Sequence, residues 1–436
     1  MSSYACSIRI LILHGHSCLA IQSVFQMSRL FQLPVELVEI ITSFLPPEDL
    51  FNLRLTCCEL SSKTFHYFTQ EHFTIKQFFP SLYGLEALLA ISKSRLRESL
   101  RTVVFDFQDL DLTVFPVTAR DDEIKKQSLQ GYSRYVNENQ YMTETGLDAI
   151  ILQEAFANLP NCSTLEIRDY SRFTFGAHIP DDGVYPLSSY GESQFRKVTA
   201  GQNLRETTIS TQVNRIFAIA LHAAVTAKLP LESAIMDYGW FWRYEILLLP
   251  SPRWFNPIDC SLKKLLHLQL YITPPADLQE PEWACTVDRI VQFFILAPNI
   301  NRLGLHLGYR QSASLFFVHL VNTLDFGNIT MLDLIWIFTD RDSIIGAFTR
   351  LSSKISCLKL YGFKVCNGNI KDIFEFIGGK MQLKKISGQY IYQNSSKIAF
   401  KSPGSENRSD LSVCFCYEGP DITNFMNDLI SSIVII

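Results

Sequence analysis

The sequence lacks the motifs that mark the common classes of catalytic and nucleotide-binding proteins. It contains no glycine-rich phosphate loop, no HExxH, no GxSxG and no CxxC pair. Its nine histidines are dispersed along the chain and form no cluster. We therefore expect a protein that is not an enzyme of a familiar type and that needs no cofactor.

The chain also lacks a large excess of charge of either sign and a long hydrophobic run. Its 436 residues include 39 basic and 43 acidic side chains, for a formal net charge of -4. This balance favours neither nucleic acid nor an anionic membrane surface as a partner. The best candidate for a membrane span, IFAIALHAAVTA (216–227), contains a histidine. It is too short, because a spanning helix needs about 20 apolar residues.

Closely spaced cysteines are rare. Of eleven cysteines, only Cys57-Cys58 and Cys414-x-Cys416 lie near each other. This spacing gives neither a disulfide framework nor a zinc site. We expect reduced, packed cysteines in an intracellular protein of the cytoplasm or nucleus.

Residues 1–26 contain SIRILILHGHSCLA, which imitates a secretory signal but has a short apolar core. We expect this segment to be a disordered extension or an upstream mis-start of translation, with Met27 opening the folded part. The alternative is a secreted repeat protein or hydrolase that uses residues 1–20 as a signal. Asn-x-Ser/Thr triplets compatible with that alternative begin at Asn161, Asn328, Asn394 and Asn407.

Beyond residue 95, apolar residues recur in triplets with one fixed internal spacing. The copies are Leu100/Val103/Phe105, Cys162/Leu165/Ile167, Leu265/Leu268/Leu270, Ile300/Leu303/Leu305, Ile329/Leu332/Leu334 and Ile355/Leu358/Leu360, with weaker copies at Leu383/Ile386, Leu204 and Leu231. From residue 265 onward the copies start 35, 29, 26 and 28 residues apart. This period is near that of a leucine-rich repeat, in which each short strand buries its apolar side chains only by stacking on the next repeat.

Segments with helical periodicity separate these predicted strands, at 287–298, 315–326, 342–353 and 370–379. The alternation predicts an α/β fold, an irregular leucine-rich-repeat solenoid over residues 95–400. The alternative is an ordinary α/β domain whose strands happen to be rich in leucine.

Two long polar segments interrupt the early part of this pattern, at 118–146 and 168–197. Such insertions become loops on one face of a repeat array, or they are disordered. At the other end, residues 401–436 combine a polar loop, a predicted strand and the apolar end LISSIVII. We expect this segment to cap the last repeat, because an exposed apolar end would invite aggregation.

Residues 33–65, LPVELVEIITSFLPPEDLFNLRLTCCELSSKTF, predict short helices with more apolar side chains than a small bundle can bury. Pro34 suits a first helical turn, and Pro46-Pro47 ends the first helix. Glu48-Asp49 then place negative charge at the start of the next helix, where the helix dipole favours it. Some forty residues cannot build a core for all these side chains, so the surplus must contact the rest of the chain or another protein.

This stretch resembles an F-box, especially one of the fungal type, which begins a few residues after the initiator methionine. We expect the F-box domain to comprise residues 27–75. The matching positions are Leu-Pro-x-Glu-Leu at 33–37, Leu45, Asp49-Leu50, Leu53, Arg54 and Cys57. The sequence departs from the pattern at Cys58, Glu59 and Leu60, where many F-boxes place a basic and an aromatic residue. An F-box followed by leucine-rich repeats is a familiar pairing.

The resemblance implies a substrate receptor of an SCF-type ubiquitin ligase, which docks on the Skp adaptor and through it on the cullin scaffold. By position, the implied adaptor-facing residues are Leu33, Pro34, Leu37, Ile41, Leu45, Leu50 and Leu53. Each of them could instead pack within its own helical bundle. The alternative function is a non-catalytic leucine-rich-repeat scaffold that recruits no ligase.

The resemblance also implies that the repeats hold an unknown protein target. Residues between the buried leucines of each strand would face the concave side of a solenoid. The candidates are Glu166, Arg168, Gln269, Tyr271, His306, Asp333, Lys359 and Tyr361. Mixed charges and two tyrosines suit a protein-binding surface but do not select a partner.

Overall fold

The computed structural model describes residues 32–106, 134, 137–168, 206–237, 261–272, 280–308, 312–394, 396–401 and 411–435. The chain divides into two compact units, residues 1–74 and 75–436. Three of the sequence predictions lie wholly or mostly outside the described residues: the N-terminal extension (1–26), the first part of the insertion at 118–146, and the insertion at 168–197 beyond Arg168.

The N-terminal unit is helical over its described residues, as the sequence predicts. Its helices are α1 (Val35–Thr42), α2 (Pro47–Thr56), α3 (Cys58–Lys63) and α4 (Phe65–Phe73). Pro34 precedes the first helix with extended backbone angles, and Pro47 occupies the first position of the second. At these positions proline costs nothing, because the first N–H groups of a helix have no partner within it.

The second unit is built on a ten-stranded sheet. Its strands in spatial order are β1 (Ile75–Phe78), β2 (Thr102–Asp106), β3 (Thr164–Arg168), β4 (Ser233–Asp237), β5 (His267–Tyr271), β6 (Arg302–His306), β7 (Met331–Ile335), β9 (Cys357–Tyr361), β11 (Lys385–Gln389) and β15 (Cys414–Glu418). The pairs from β1 to β11 are parallel, and β15 is antiparallel to β11. Strand order therefore follows chain order.

Helices connect most of these strands. They are α5 (Leu82–Ser92), α6 (Leu147–Ala157), α7 (Glu206–Thr226), α8 (Glu280–Leu296), α9 (Ser312–Thr323), α10 (Arg341–Leu351) and α11 (Ile370–Lys380), with α12 (Ile422–Ser431) near the C-terminal end. Short 3₁₀ turns lie at Arg95–Glu98 and Ser261–Lys264. Because parallel crossovers are right-handed, a sheet whose order follows the chain places its helices on one face. Accordingly α5 packs on α6, α6 on α7, and α8 through α12 on one another in series.

The predicted apolar triplets lie in these strands and in the turns before them. All those within the described residues are buried, including the copy that begins at Leu231. The second residues of the triplets align in register across the sheet as Val103, Leu165, Ala234, Leu268, Leu303, Leu332 and Leu358. The α/β class and the predicted strands are confirmed. The leucine-rich-repeat solenoid stays a prediction.

A smaller second sheet follows the C-terminal half of the large one. Its strands are β8 (Phe338–Asp340), β10 (Lys364–Asn367), β12 (Tyr392–Gln393), β13 (Ser396–Lys401) and β14 (Leu411–Ser412), with β16 (Ile433–Ile435) paired to β13. The chain turns from one sheet to the other at Trp336, Gly362 and Tyr390, which all have positive φ. Each of these residues donates its N–H to a carbonyl of the following strand or turn of the array.

Two features of the structure differ from the pattern described above. Residues 137–145, within the first predicted insertion, are helical rather than a loop. The polar composition concealed a one-sided helix in which Met142 is buried and Gln140 donates to Glu144 one turn later. The large sheet also begins at β1, before the first predicted repeat.

In the parts of the chain that the structure describes, no helix is long and apolar enough to cross a membrane.

Candidate functional site

Side-chain contacts tie the short helices of the N-terminal unit together. Cys57 caps α3, where its Sγ accepts the N–H of Leu60 at 3.4 Å. The Nζ of Lys63 donates to the carbonyl of Leu33 at 3.1 Å and pairs with Glu59 at 3.2 Å. These contacts join the end of α3 to the chain that enters α1. They give a structural role to Cys57, one of the positions that resemble an F-box.

Arg54 is the second such link. Its Nη1 donates to the carbonyl of Ser61 at 3.0 Å and to Oγ1 of Thr64 at 2.9 Å. Its guanidinium carbon lies 3.7 Å from the ring centroid of Phe68. Hydrogen bonds from a charged donor and a cation–π contact connect α2 to α3 and α4. These contacts give a structural role to Arg54, another of the positions that resemble an F-box.

We expect Arg54→Ala to destabilise the helical unit by about 1–2 kcal/mol, because it removes two charge-assisted hydrogen bonds and a cation–π contact. Hydrogen exchange of the amides in α2 to α4 of the full chain should report this as faster opening. Arg350→Ala, at an exposed position on α10, is the control and should leave exchange in the helical unit unchanged. Equal protection in the Arg54→Ala variant would contradict the assignment.

Among its described residues, the helical unit exposes seven large apolar side chains. The exposed apolar set consists of Val35, Leu37, Ile40, Ile41, Phe44, Phe51 and Leu55. Leu37, Ile41 and Phe44 follow one another at helical spacing, and Phe44 and Leu55 are 82% and 84% exposed. Concentrations of exposed apolar side chains mark interaction surfaces.

The residues that the resemblance assigned to the adaptor fall into three groups. Pro34, Leu37 and Ile41 are exposed. Leu33, Leu45 and Leu53 are half-buried. Leu50 is 1% exposed and lies in the interior, so it has no surface to offer a partner.

Sequence reasoning left Val35, Ile40, Phe44, Phe51 and Leu55 out of that set. Ile40 and Phe44 are one helical turn apart, so their spacing is a signal that could have placed them together. Whether each of two neighbouring apolar residues is buried or exposed depends on how the short helices pack against one another. Val38, which lies beside the exposed Leu37, is fully buried.

The eight candidate target-binding residues occupy one face of the large sheet. Strand residues three and five of β3, β5, β6, β7 and β9 align in two rows across this face, which we call the polar face. One row contains Glu166, Gln269, Gly304, Asp333 and Lys359, and the other contains Tyr271, His306, Ile335 and Tyr361, with Arg168 at the same strand position of β3.

Ion pairs within the protein occupy most charges on the polar face. Glu166 and Arg168 bind each other through two hydrogen bonds. The Nε and Nη2 of Arg302, the first residue of β6, donate to Oδ2 of Asp333 at 3.0 and 2.6 Å. Glu166, His306 and Asp333 are buried, whereas Gln269, Tyr271, Lys359 and Tyr361 are half-buried. Only part of the candidate set therefore offers accessible surface.

Two histidines of this face are held neutral. Burial lowers the pKa of His306 to about 3. Burial, together with the charges of Arg302 and Lys359, lowers the pKa of His267 to about 4. Nδ1 of His267 lies 3.2 Å from Oγ of Ser233. Both rings are therefore uncharged at neutral pH and serve as packed parts of the sheet.

These lowered pKa values predict acid sensitivity. Below about pH 6.5 the unfolded chain binds a proton at each histidine, whereas the folded chain does not until the pH approaches the lowered values. The free energy of unfolding should therefore fall by up to about 1.4 kcal/mol per pH unit for each histidine below pH 6.5. Chemical denaturation at several pH values measures this slope.

The variant His306→Gln should flatten that slope, because glutamine binds no proton in the unfolded chain. His319→Gln, on α9, is a control that should leave most of the slope in place. An unchanged slope in His306→Gln would show that the buried ring does not cause the acid sensitivity.

The described residues contain no group of three or more His, Cys, Asp or Glu side chains that could hold a metal ion. The seven cysteines whose side chains are described are unpaired.

The comparison with known families gives one result. Residues 30–63 match the F-box domain. No curated protein matches the chain. The match covers α1, α2 and α3, and with them Arg54, Cys57 and the whole exposed apolar set. F-box proteins are usually non-catalytic adaptors. Residues 30–63 are thus an F-box domain, which implies binding to the Skp adaptor within an SCF-type ubiquitin ligase.

Proposed function

We propose that this protein is the substrate receptor of an SCF-type ubiquitin ligase in the cytoplasm or nucleus. The F-box docks on the Skp adaptor and through it on the cullin scaffold, and the sheet unit holds a protein target. The receptor itself performs no chemistry. It raises the effective concentration of the target near a ubiquitin-charged partner, which is sufficient to direct the reaction.

The observation that supports the docking role is the exposed apolar set within the matched domain. An interface of ordinary size buries roughly 1,200–2,000 Å² in total, and a few central apolar anchors supply most of its energy. Leu37, Ile41 and Phe44 have the exposure and the spacing of such anchors. Pro34 lies at the N-terminal end of the same helix, immediately before Val35.

The repeated strand–helix order of the sheet unit supports its role as an irregular leucine-rich-repeat array. Buried leucines in register on one face and a polar face on the other are what a repeat array needs to bind a protein. In this proposal the half-buried members of the polar face, including Gln269, Tyr271, Lys359 and Tyr361, contact the target. We also propose that this F-box is of the fungal type.

Affinity capture of the full-length protein from cells tests this function. We expect the Skp adaptor and a cullin to co-purify with it at near-equal amounts. A target bound through the sheet unit should persist longer in cells when the receptor is removed. The competing function, a repeat scaffold that recruits no ligase, predicts that neither the adaptor nor the cullin co-purifies and that no protein changes its lifetime.

A further inference from the structure

Lys359 differs from the neighbouring charged residues of the polar face, because these form ion pairs. Arg302 pairs with Asp333, and Lys385, the first residue of β11, pairs with Glu418 at 2.6 Å. Lys359 lies on β9, the strand between β7 and β11, and is half-buried. Among the described residues it has no ion pair, although Asp333 is its register neighbour.

The geometry of Asp333 explains why it does not neutralise Lys359. Both hydrogen bonds to this carboxylate come from Arg302 and end on Oδ2. Its Oδ1 is buried and accepts no hydrogen bond. Asp333 therefore forms its ion pair with Arg302 on β6 and not with Lys359 on β9.

The surroundings of Lys359 carry an excess of positive charge. Arg302, Lys359 and Lys385 contribute three cations to this part of the face, against the two anions Asp333 and Glu418. The same charges act on two neighbouring groups. After burial, Arg302 and Lys359 lower the pKa of His267, whereas Asp333 raises it. Burial and Asp333 raise the pKa of the Cys357 thiol, whereas Lys359, Lys385 and Arg302 lower it.

We propose that Lys359 is the anchor for an acidic side chain, aspartate or glutamate, on the target segment that binds the polar face. This inference rests on the proposed role of the sheet unit in holding a target. A target carboxylate would give Lys359 the ion-pair partner that the described part of the chain does not supply, and would balance the local charge. A basic target residue would meet uncompensated positive charge, which costs affinity at an interface.

The neighbours of Lys359 favour such a pair. Tyr361 follows it on the same face, and its ring meets those of Trp336 and Tyr390 edge-on at 5.6 and 5.4 Å. Aromatic rims exclude water from a contact, and a charge pair is stronger where water is excluded.

Immobilised libraries of short peptides test the proposal directly. The libraries share random flanks and differ at the central residue, which is glutamate, glutamine, lysine or phosphoserine. We expect the full-length protein to bind the glutamate library about tenfold more tightly than the glutamine library, and the lysine library least. Lys359→Met should abolish the preference, and Lys359→Glu should reverse it toward lysine.

Lys371→Met, at an exposed position of α11, is the matched control and should keep the preference. No preference for glutamate in the unaltered protein, or an equal loss in Lys371→Met, would overturn the proposal. Binding of phosphoserine without binding of glutamate would overturn it too, because the site would then select phosphate. Adaptor binding, measured in parallel, should be the same in all variants. Absence of adaptor binding would reject the ligase role but would not bear on the role of Lys359 in target binding.

Discussion

The variant Leu37→Ala/Phe44→Ala is expected to bind the Skp adaptor at least about 100-fold more weakly than the unaltered protein. Both side chains are exposed, at 46% and 82%, within the F-box. Truncating a central apolar anchor costs an interface about 2 kcal/mol or more, and tenfold in affinity corresponds to about 1.4 kcal/mol. Titration of the purified full-length variant with the adaptor measures the loss.

The same variant should fold normally, which separates a binding defect from a folding defect. Exposed side chains away from strained or buried features change the free energy of unfolding by about 0.5 kcal/mol or less. The unfolding transition of the variant should therefore match that of the unaltered protein.

A matched control comes from the sheet unit. Leu315 and Ile295 lie on α9 and α8 and are 53% and 71% exposed. The variant Leu315→Ala/Ile295→Ala removes a similar amount of exposed apolar surface and should bind the adaptor normally. An equal loss of affinity in both double variants would contradict the assignment of the docking surface to the F-box.

Gly362→Ala is expected to destabilise the sheet unit by about 2–4 kcal/mol. Gly362 forms the turn between β9 and β10 with φ of +64°, a region that residues with a side chain adopt at a cost. A Cβ atom added there would overlap the indole ring of Trp336. Chemical denaturation of the full chain measures the change.

The indole cannot easily move away from that methyl group. Trp336 is buried, has φ of +52°, and donates its backbone N–H to the carbonyl of Tyr361 at 2.6 Å. Its ring also meets the ring of Tyr361 edge-on. The two turns are thus packed on each other, and the added methyl group forces either strain in the backbone or a shift of a buried side chain.

Gly379→Ala is the control within the same unit. Gly379 lies near the end of α11, and a Cβ atom there would meet nothing within 4 Å. In a helix this change should stabilise the protein by up to about 1 kcal/mol. A Gly362→Ala variant as stable as the unaltered protein would show that the turn adjusts without cost.

The strands of the large sheet could be predicted because their signal is local and repeated. In each copy, such as Leu303/Leu305 or Leu358/Leu360, alternate residues are buried wherever a strand stacks on its neighbour. The helices between them also follow the predicted spacing, with α10 and α11 within two residues of the predicted bounds. Periodicity determines these elements, and it is visible in one sequence.

The turns and the second sheet could not be predicted in the same way. A tryptophan at φ of +52° is uncommon, and the packing of Trp336 on Gly362 joins residues 26 positions apart. The strands β8, β10 and β12 contain only two to four residues each and depend on their neighbours for hydrogen bonds. Ion pairs such as Arg302–Asp333 join residues 31 positions apart and leave no local pattern.

For the F-box, the sequence indicated the helices but not which apolar residues they expose. Leu50 and Val38 lie inside, whereas Leu37 and Phe44 lie outside. Helices of six to ten residues meet at angles that their own sequence does not specify, so neighbouring apolar positions are equally good candidates. Side-chain links such as those of Arg54 and Lys63 determine the arrangement.

Titration of the purified full-length protein with the purified Skp adaptor tests the central claim most directly. We expect one adaptor to bind one receptor with a dissociation constant below about 1 μM, as for an interface of ordinary size with buried apolar anchors. Absence of a complex at about 50 μM of both proteins, with the receptor folded, would contradict the ligase role.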